Sequence, residues 1–269
     1  MDRTLFSPAM IDTFRSCPRA FETALRQLDE GGRVRSIASV CKQFVRKGVA
    51  EINKGRVTTL NQLQIFIGNH WPVDKMEKYG YDQEQITRAF LYTYKTLAGY
   101  VSQPYRPRES EVAAVALKVR ARVGSARAYL EDTFDLVLWY PDRAHLEIVD
   151  FELSGKVSAG RAWPSASSIA RQFLINKLRA RFPFRTLAFT TLKLTPRGFQ
   201  TNSQVAAEDS LSRHFDDLVR DLDAMRAPLK TEAHPRGEFC RYCSALARPE
   251  SGSESGEHED DDDSLSLSA

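Results

Sequence analysis

The chain has no apolar run approaching the roughly 20 residues that a membrane-spanning helix needs. Its start, "MDRTLFSPAM", has no basic stretch followed by an apolar core, so no secretory signal is read there. Both absences lead to the expectation of a soluble, intracellular protein with no membrane partner. Cysteine is scarce, at four in 269 residues. That excludes a disulfide framework and leaves buried small hydrophobes as the default reading, with metal ligands as the second. No internal repeat is present. Two further absences concern charge. From Leu153 to Ala207 there is no Asp or Glu across 55 residues, and from Glu250 to Ala269 there is no Lys or Arg.

These gaps frame what is there. The acid-free stretch carries nine cations: Lys156, Arg161, Arg171, Lys177, Arg179, Arg181, Arg185, Lys193 and Arg197. The last twenty residues carry eight acids. Setting them aside leaves 38 basic against 27 acidic residues, so a net charge of +3 conceals a body of +11. Such a body attracts polyanions, while the tail opposes them or engages a protein partner. The tail has no periodicity and few apolar residues, the composition of a disordered segment.

Residues 1–103 read as a helical region. Ser7 and Pro8 suit an N-cap and first helical position, Cys17-Pro18 interrupts, and Gly55 closes a second helix. Two more helical stretches follow, "TLNQLQIFIGNHW" and "DQEQITRAFLYTYKTLAGYV". Beyond "SQPYRPRES" the period changes to two. Leu117, Val119, Ala121 and Val123 alternate with Lys118, Arg120 and Arg122, which marks a half-buried strand. "ARAYLEDTFDLVLWY" and "AHLEIVDFEL" complete an antiparallel meander, followed by a helix ("SASSIARQFLINKLRARF"), a strand ("RTLAFTTLKL") and a helix over residues 208–227. The expected fold is α/β: a mixed sheet with an antiparallel meander, flanked by helices and preceded by a helical region. The expected division is 1–103, then 104–249, then a tail at 250–269.

In that meander Asp135 and Asp150 sit on neighbouring strands, and Asp150 and Glu152 share a face of theirs. Three acids at one end of a sheet make a candidate site for Mg²⁺ or Mn²⁺, which favour carboxylate oxygens and can activate water for phosphodiester hydrolysis. The alternative is a strand that simply carries acids on its solvent face. The cationic segment that follows suits a substrate with a phosphate backbone, with Arg161, Arg171, Lys177, Arg179 and Arg181 as its contacts.

Taken in order, "SPAMIDTFRSCPRAF", Asp135, "IVDFE", "ARQFLINKL" and "CRYC" resemble the RecB-like branch of the PD-(D/E)XK nucleases, similar to CRISPR-adaptation exonucleases and AddB-type nuclease domains. The resemblance spans residues 7 to about 249. It implies a restriction-endonuclease-like core and a divalent-metal-dependent DNA nuclease acting on single strands or ends. It makes Asp135 and Asp150 metal ligands, sets Glu152 at the motif's lysine position, and places Gln172 beside the substrate. Cys17, Cys240 and Cys243 would match three of four iron–sulfur ligands, with Cys41 as a stand-in for the fourth. Zinc or buried thiols are the other reading of the same cysteines.

The sequence departs from that pattern in five places. Glu152 replaces the lysine, Asn176 the tyrosine after Gln172, Asp132 a glycine, and Pro249 the final cysteine. No histidine lies near Cys41. Lys156 or Lys177 would have to supply the charge that Glu152 cannot. Two other readings therefore stay open: an inactive relative that binds DNA or a partner without cutting, and an adaptor working through its acidic tail.

Overall fold

The structure, a computed structural model, describes residues 4–29, 36–153, 165–207 and 209–227. Lys156, Arg161, Cys240, Cys243 and the acidic tail lie outside these residues. The fold is mixed α/β in three layers, a sheet with helices on both faces.

The chain begins with a two-residue strand, β1 (Leu5–Phe6), then α1 (Pro8–Ser16) and α2 (Pro18–Asp29). Pro8 takes the first helical turn of α1, where its missing N–H leaves nothing unpaired. Cys17 is extended and Pro18 restarts the helix, so the expected interruption is present. α3 (Ile37–Asn53) is capped by Ser36, whose side chain accepts from Ser39 N, and stops before Gly55 at φ +74°. α4 (Leu60–His70), the short α5 (Val73–Lys78) and α6 (Gln83–Ser102) follow. β2 (Glu111–Val123), β3 (Ala128–Tyr140) and β4 (His145–Leu153) form the antiparallel meander. α7 (Ala166–Asn176), β5 (Thr186–Thr195), β6 (Gly198–Val205) and α8 (Ser210–Arg226) complete the described chain. β4 and β5 run parallel, so the sheet is mixed.

The first 103 residues are not a separate layer. Ile11 and Phe21 from α1 and α2 join Val119, Leu130, Phe134, Ile148, Phe173 and Leu222 in the core on one face. Phe44, Val49, Leu63, Ile67 and Leu97 from α3, α4 and α6 join Leu136, Leu138, Val149, Phe151 and Leu192 on the other. The N-terminal helices thus clasp the sheet from both sides, and β1 lies within it.

β3 has unusual pairing. β2 lines one of its edges throughout. On the other edge, β1 pairs in parallel at Tyr129 and Leu130, whereas β4 pairs only from Leu136 to Tyr140. The sheet therefore forks between Leu130 and Leu136. At the same level side-chain alternation reverses: Leu130 and Phe134 enter the first core, Leu136 and Leu138 the second. On β2, Ala116 near this point takes a left-handed conformation at φ +52°.

α3 and α6 approach closely at Gly48. A Cβ there would stand 2.7 and 2.8 Å from the δ carbons of Leu97, a side chain with no exposure. Gly48→Ala is expected to lose about 1–3 kcal/mol despite its better helix propensity, as read by urea unfolding. An unchanged midpoint would show that the two helices can part without cost.

Candidate functional site

The acids gather at the fork. Where β4 leaves β3, the Phe151 N–H has no β3 carbonyl to meet. Asp135 Oδ2 accepts it instead at 3.0 Å. The same oxygen lies 3.1 Å from Arg46 Nη2 of α3. Asp150, on β4, faces α7, where Arg171 holds both of its carboxylate oxygens. Nη2 donates to Oδ1 at 2.8 Å, and Nη1 donates to Oδ2. Arg171 Nε stands 3.0 Å from Asp132 Oδ2, but off hydrogen-bond alignment, so this contact is coulombic rather than directional. Asp132 and Asp135, three apart, would project from opposite faces of a regular strand. Here they part accordingly: Asp132 meets Arg171 of α7, and Asp135 meets Arg46 of α3.

Arg171 is fixed from its apolar sides as well. Its guanidinium carbon lies 5.0 Å from the centre of the Phe134 ring and 5.3 Å from that of Phe189. Burial alone would lower its pKa, yet Asp150, Asp132 and Asp135 outweigh burial and push it higher still. The acids answer in kind. Burial raises Asp132 above the ordinary carboxylate range despite Arg171, and it raises Asp135 despite Arg46 and the Phe151 N–H.

Around this cluster opens a cleft of about 820 Å³. Its floor is the α7-facing side of β4, β5 and β6, with Glu152 paired across strands to Lys193 and Asp150 to Thr191. One wall is the start of α7, where Asp12 of α1 accepts from Ser167 N at 3.0 Å and from Ser167 Oγ at 2.6 Å. A carboxylate at a helix N-terminus is well placed against the helix dipole, and it ties α1 to α7. Lys42 and Arg46 of α3 border the opening. The lining holds four acids (Glu131, Asp132, Asp150, Glu152) against four cations (Lys42, Arg46, Arg171, Lys193), so the cleft is polar and close to neutral.

The expected site residues divide accordingly. Asp135, Asp150 and Glu152 come to the fork and its cleft. Gln172 does not: one position after Arg171, it is buried, and its amide donates to Ala207 O at 3.4 Å. Arg171 is drawn into the acids rather than offered to a phosphate backbone. Lys177, Arg179 and Arg181 are exposed beyond the other end of α7, each against a ring, Phe173, Phe184 and Phe182 respectively. At about 1.5 Å per residue, Lys177 stands roughly 9 Å along the helix axis from Arg171, and Arg179 and Arg181 follow the helix end. Cys41 is buried between α3 and α6, near Thr93, and burial raises its thiol pKa. Cys17 is buried at the α1–α2 junction, where its sulfur accepts from Ala20 N at 3.4 Å. Lys42, Arg46 and Asp12 were not singled out by the sequence. An exposed stripe of cations on a helix is ordinary, and Asp12 gives no sign of its partner 155 positions away.

A divalent cation does not fit the donor set as it stands. Both Asp150 oxygens are engaged by a guanidinium held between two rings, and Asp135 is shared between Arg46 and a backbone N–H. Among the described residues, no group of three or more His, Cys, Asp or Glu side chains is arranged to hold a metal ion.

No family model and no curated protein matches the chain. Thirteen solved chains match it. One, described as "Crystal structure of SSO0001", is 12% identical and covers 77% of this chain and 95% of its own, at a TM-score of 0.25, too slight a likeness to speak for fold or function. Among the described residues, no helix is long and apolar enough to cross a membrane.

Proposed function

We propose that this protein is a nuclease-like scaffold that binds nucleic acid without metal-dependent cleavage. The observation that carries this reading is Arg171, seated between Phe134 and Phe189 with its guanidinium on Asp150 and Asp132. A cation built into the chain engages both carboxylate oxygens of Asp150, and a second, Arg46, engages Asp135, two of the acids that a PD-(D/E)XK nuclease would give to its metal. Glu152 compounds the change, because a carboxylate cannot offer positive charge to a phosphate in the way a lysine does. Nucleic acid is supported by the +11 body outside the tail and by the acid-free stretch from Leu153 to Ala207.

The test is incubation of end-labelled single- and double-stranded DNA with the full chain and Mg²⁺ or Mn²⁺, with binding followed by fluorescence anisotropy. Salt-sensitive binding with no cleavage is the expected result. Metal-dependent cleavage by the wild type that disappears in Asp150→Ala would sink the proposal and restore the nuclease reading. Loss of all binding would sink it too, in favour of an adaptor that engages proteins.

A further inference from the structure

We infer that nucleic acid is held outside the cleft, along the face of the β2–β3 hairpin that is exposed among the described residues, by Lys118, Arg120, Arg122 and Tyr129. This rests on the nucleic-acid reading above and locates it.

The inward-facing residues of the hairpin, Val119, Ala121, Val123 and Leu130, are buried against α1, α2, α7 and α8. The alternate residues project the other way, and Lys118, Arg120 and Arg122 are exposed. Across the ladder they face Thr133, Glu131 and Tyr129 in turn. Glu131 is the one acid among these six residues, and Lys118 meets it at 2.8 Å. Arg120 lies over the Tyr129 ring at 4.5 Å, which fixes a long side chain before any partner arrives. Glu131 also lines the cleft, so this face runs on toward Lys42 and Arg46.

The cleft is too nearly neutral to be the main electrostatic contact. The hairpin face has the excess of positive charge that a polyanion requires. Cations on alternate strand residues stand about 6.6 Å apart, near twice the 3.4 Å rise per nucleotide of a stacked strand. Three of them can therefore meet every second phosphate of one strand. A guanidinium held over a tyrosine ring also presents the flat surface on which an unpaired base stacks. That feature favours a single nucleic-acid strand over an acidic peptide, which has charge but no bases.

The experiment uses the full chain and a fluorescein-labelled oligothymidylate. The triple variant Lys118→Gln/Arg120→Gln/Arg122→Gln is compared with wild type, with Tyr129→Ala, and with the control Lys177→Gln/Arg179→Gln/Arg181→Gln. Thermal melts confirm that each is folded. The hairpin triple variant is expected to bind at least about tenfold more weakly at low salt. Its salt slope should shrink by about 2, from three phosphate contacts at roughly 0.7 each. Tyr129→Ala should weaken oligothymidylate binding but leave binding of a labelled polyglutamate unchanged.

Wild-type affinity in the hairpin triple variant would overturn this inference while leaving the proposed function intact. Absence of binding by wild type would overturn both. An equal loss for oligothymidylate and polyglutamate, with Tyr129→Ala neutral for both, would overturn the nucleic-acid assignment in favour of an acidic protein partner.

Discussion

Arg171→Met is expected to destabilise the protein by about 3–5 kcal/mol, the cost of leaving a buried charge without its partner. Methionine keeps the unbranched stem and much of the volume between Phe134 and Phe189, so packing is preserved as far as one substitution allows. What is lost is the cation. Asp150 would lose both guanidinium bonds and Asp132 its coulombic partner, in a place where burial already raises the Asp132 pKa. Urea unfolding at neutral pH reads the loss as a lower midpoint at unchanged slope. Adding Asp150→Leu should recover most of it, since replacing both members of a buried pair by apolar groups is often close to neutral. If Arg171→Met costs less than about 1 kcal/mol, the guanidinium is not needed to neutralise the acids, and the reading of Arg171 as a resident cation fails.

The second large effect lies on the opposite face of the sheet. Glu147 is buried on β4, and three hydroxyls surround it. Tyr140 donates to Oε2 at 2.6 Å, and Tyr105 and Thr190 donate to Oε1 at 2.9 and 2.5 Å. Glu147→Leu would remove the carboxylate that both phenols donate to and is expected to cost about 2–6 kcal/mol, at roughly 1–3 for each unsatisfied group. The same network gives the protein an alkaline limit. Burial and the Glu147 charge raise Tyr105 and Tyr140 above the ordinary phenol value of 10.0, so the folded chain keeps protons that the unfolded chain gives up. Their contribution is complete below that value and is lost as pH climbs past it toward the raised values. Stability should fall above about pH 10, and Tyr140→Phe should fall less steeply while starting lower. Parallel alkaline slopes for the two proteins would show that Tyr140 ionises as freely folded as unfolded.

Much of the architecture was legible because its periods were clean. Leu117 to Val123 alternate without exception, and α3 and α6 carry both periodicity and end signals. β6 was not foreseen, since "GFQTNSQV" is polar on both faces, as befits a strand with one neighbour only. β1 has two residues and is too short for a period, and α5 has little more than one turn. The site was half legible. Alternation placed Asp150 and Glu152 on one face, and the meander brought Asp135 near. Arg171, however, read as one more cation of a basic run. A signal was present in its neighbours: Ile169, Ala170, Phe173 and Leu174 make α7 apolar nearly all round. An arginine in such a helix needs an internal counter-ion. Asp132 likewise read as a missing glycine, when it is part of the arginine's seat. No pattern within either segment could foresee the reversal of β3 beside these acids, because its sign is the backbone of Ala116 on the neighbouring strand.

The fork also bears on how the chain reaches its native state. Leu5 and Tyr129 are far apart in sequence, yet they pair directly, with the Tyr129 N–H on the Thr4 carbonyl at 2.6 Å. β2, β3 and β4, by contrast, are joined by short turns and can zip locally. Bringing β1 home means closing a loop of over a hundred residues for only two residues of pairing, and entropy opposes that until the rest of the core is in place. The seat of Arg171 does not have to wait for it, since Asp132, Phe134, Asp150 and Phe189 belong to the meander and its parallel neighbour. Loop-closure entropy therefore favours forming the seat of the arginine before β1 docks on the fork's open side.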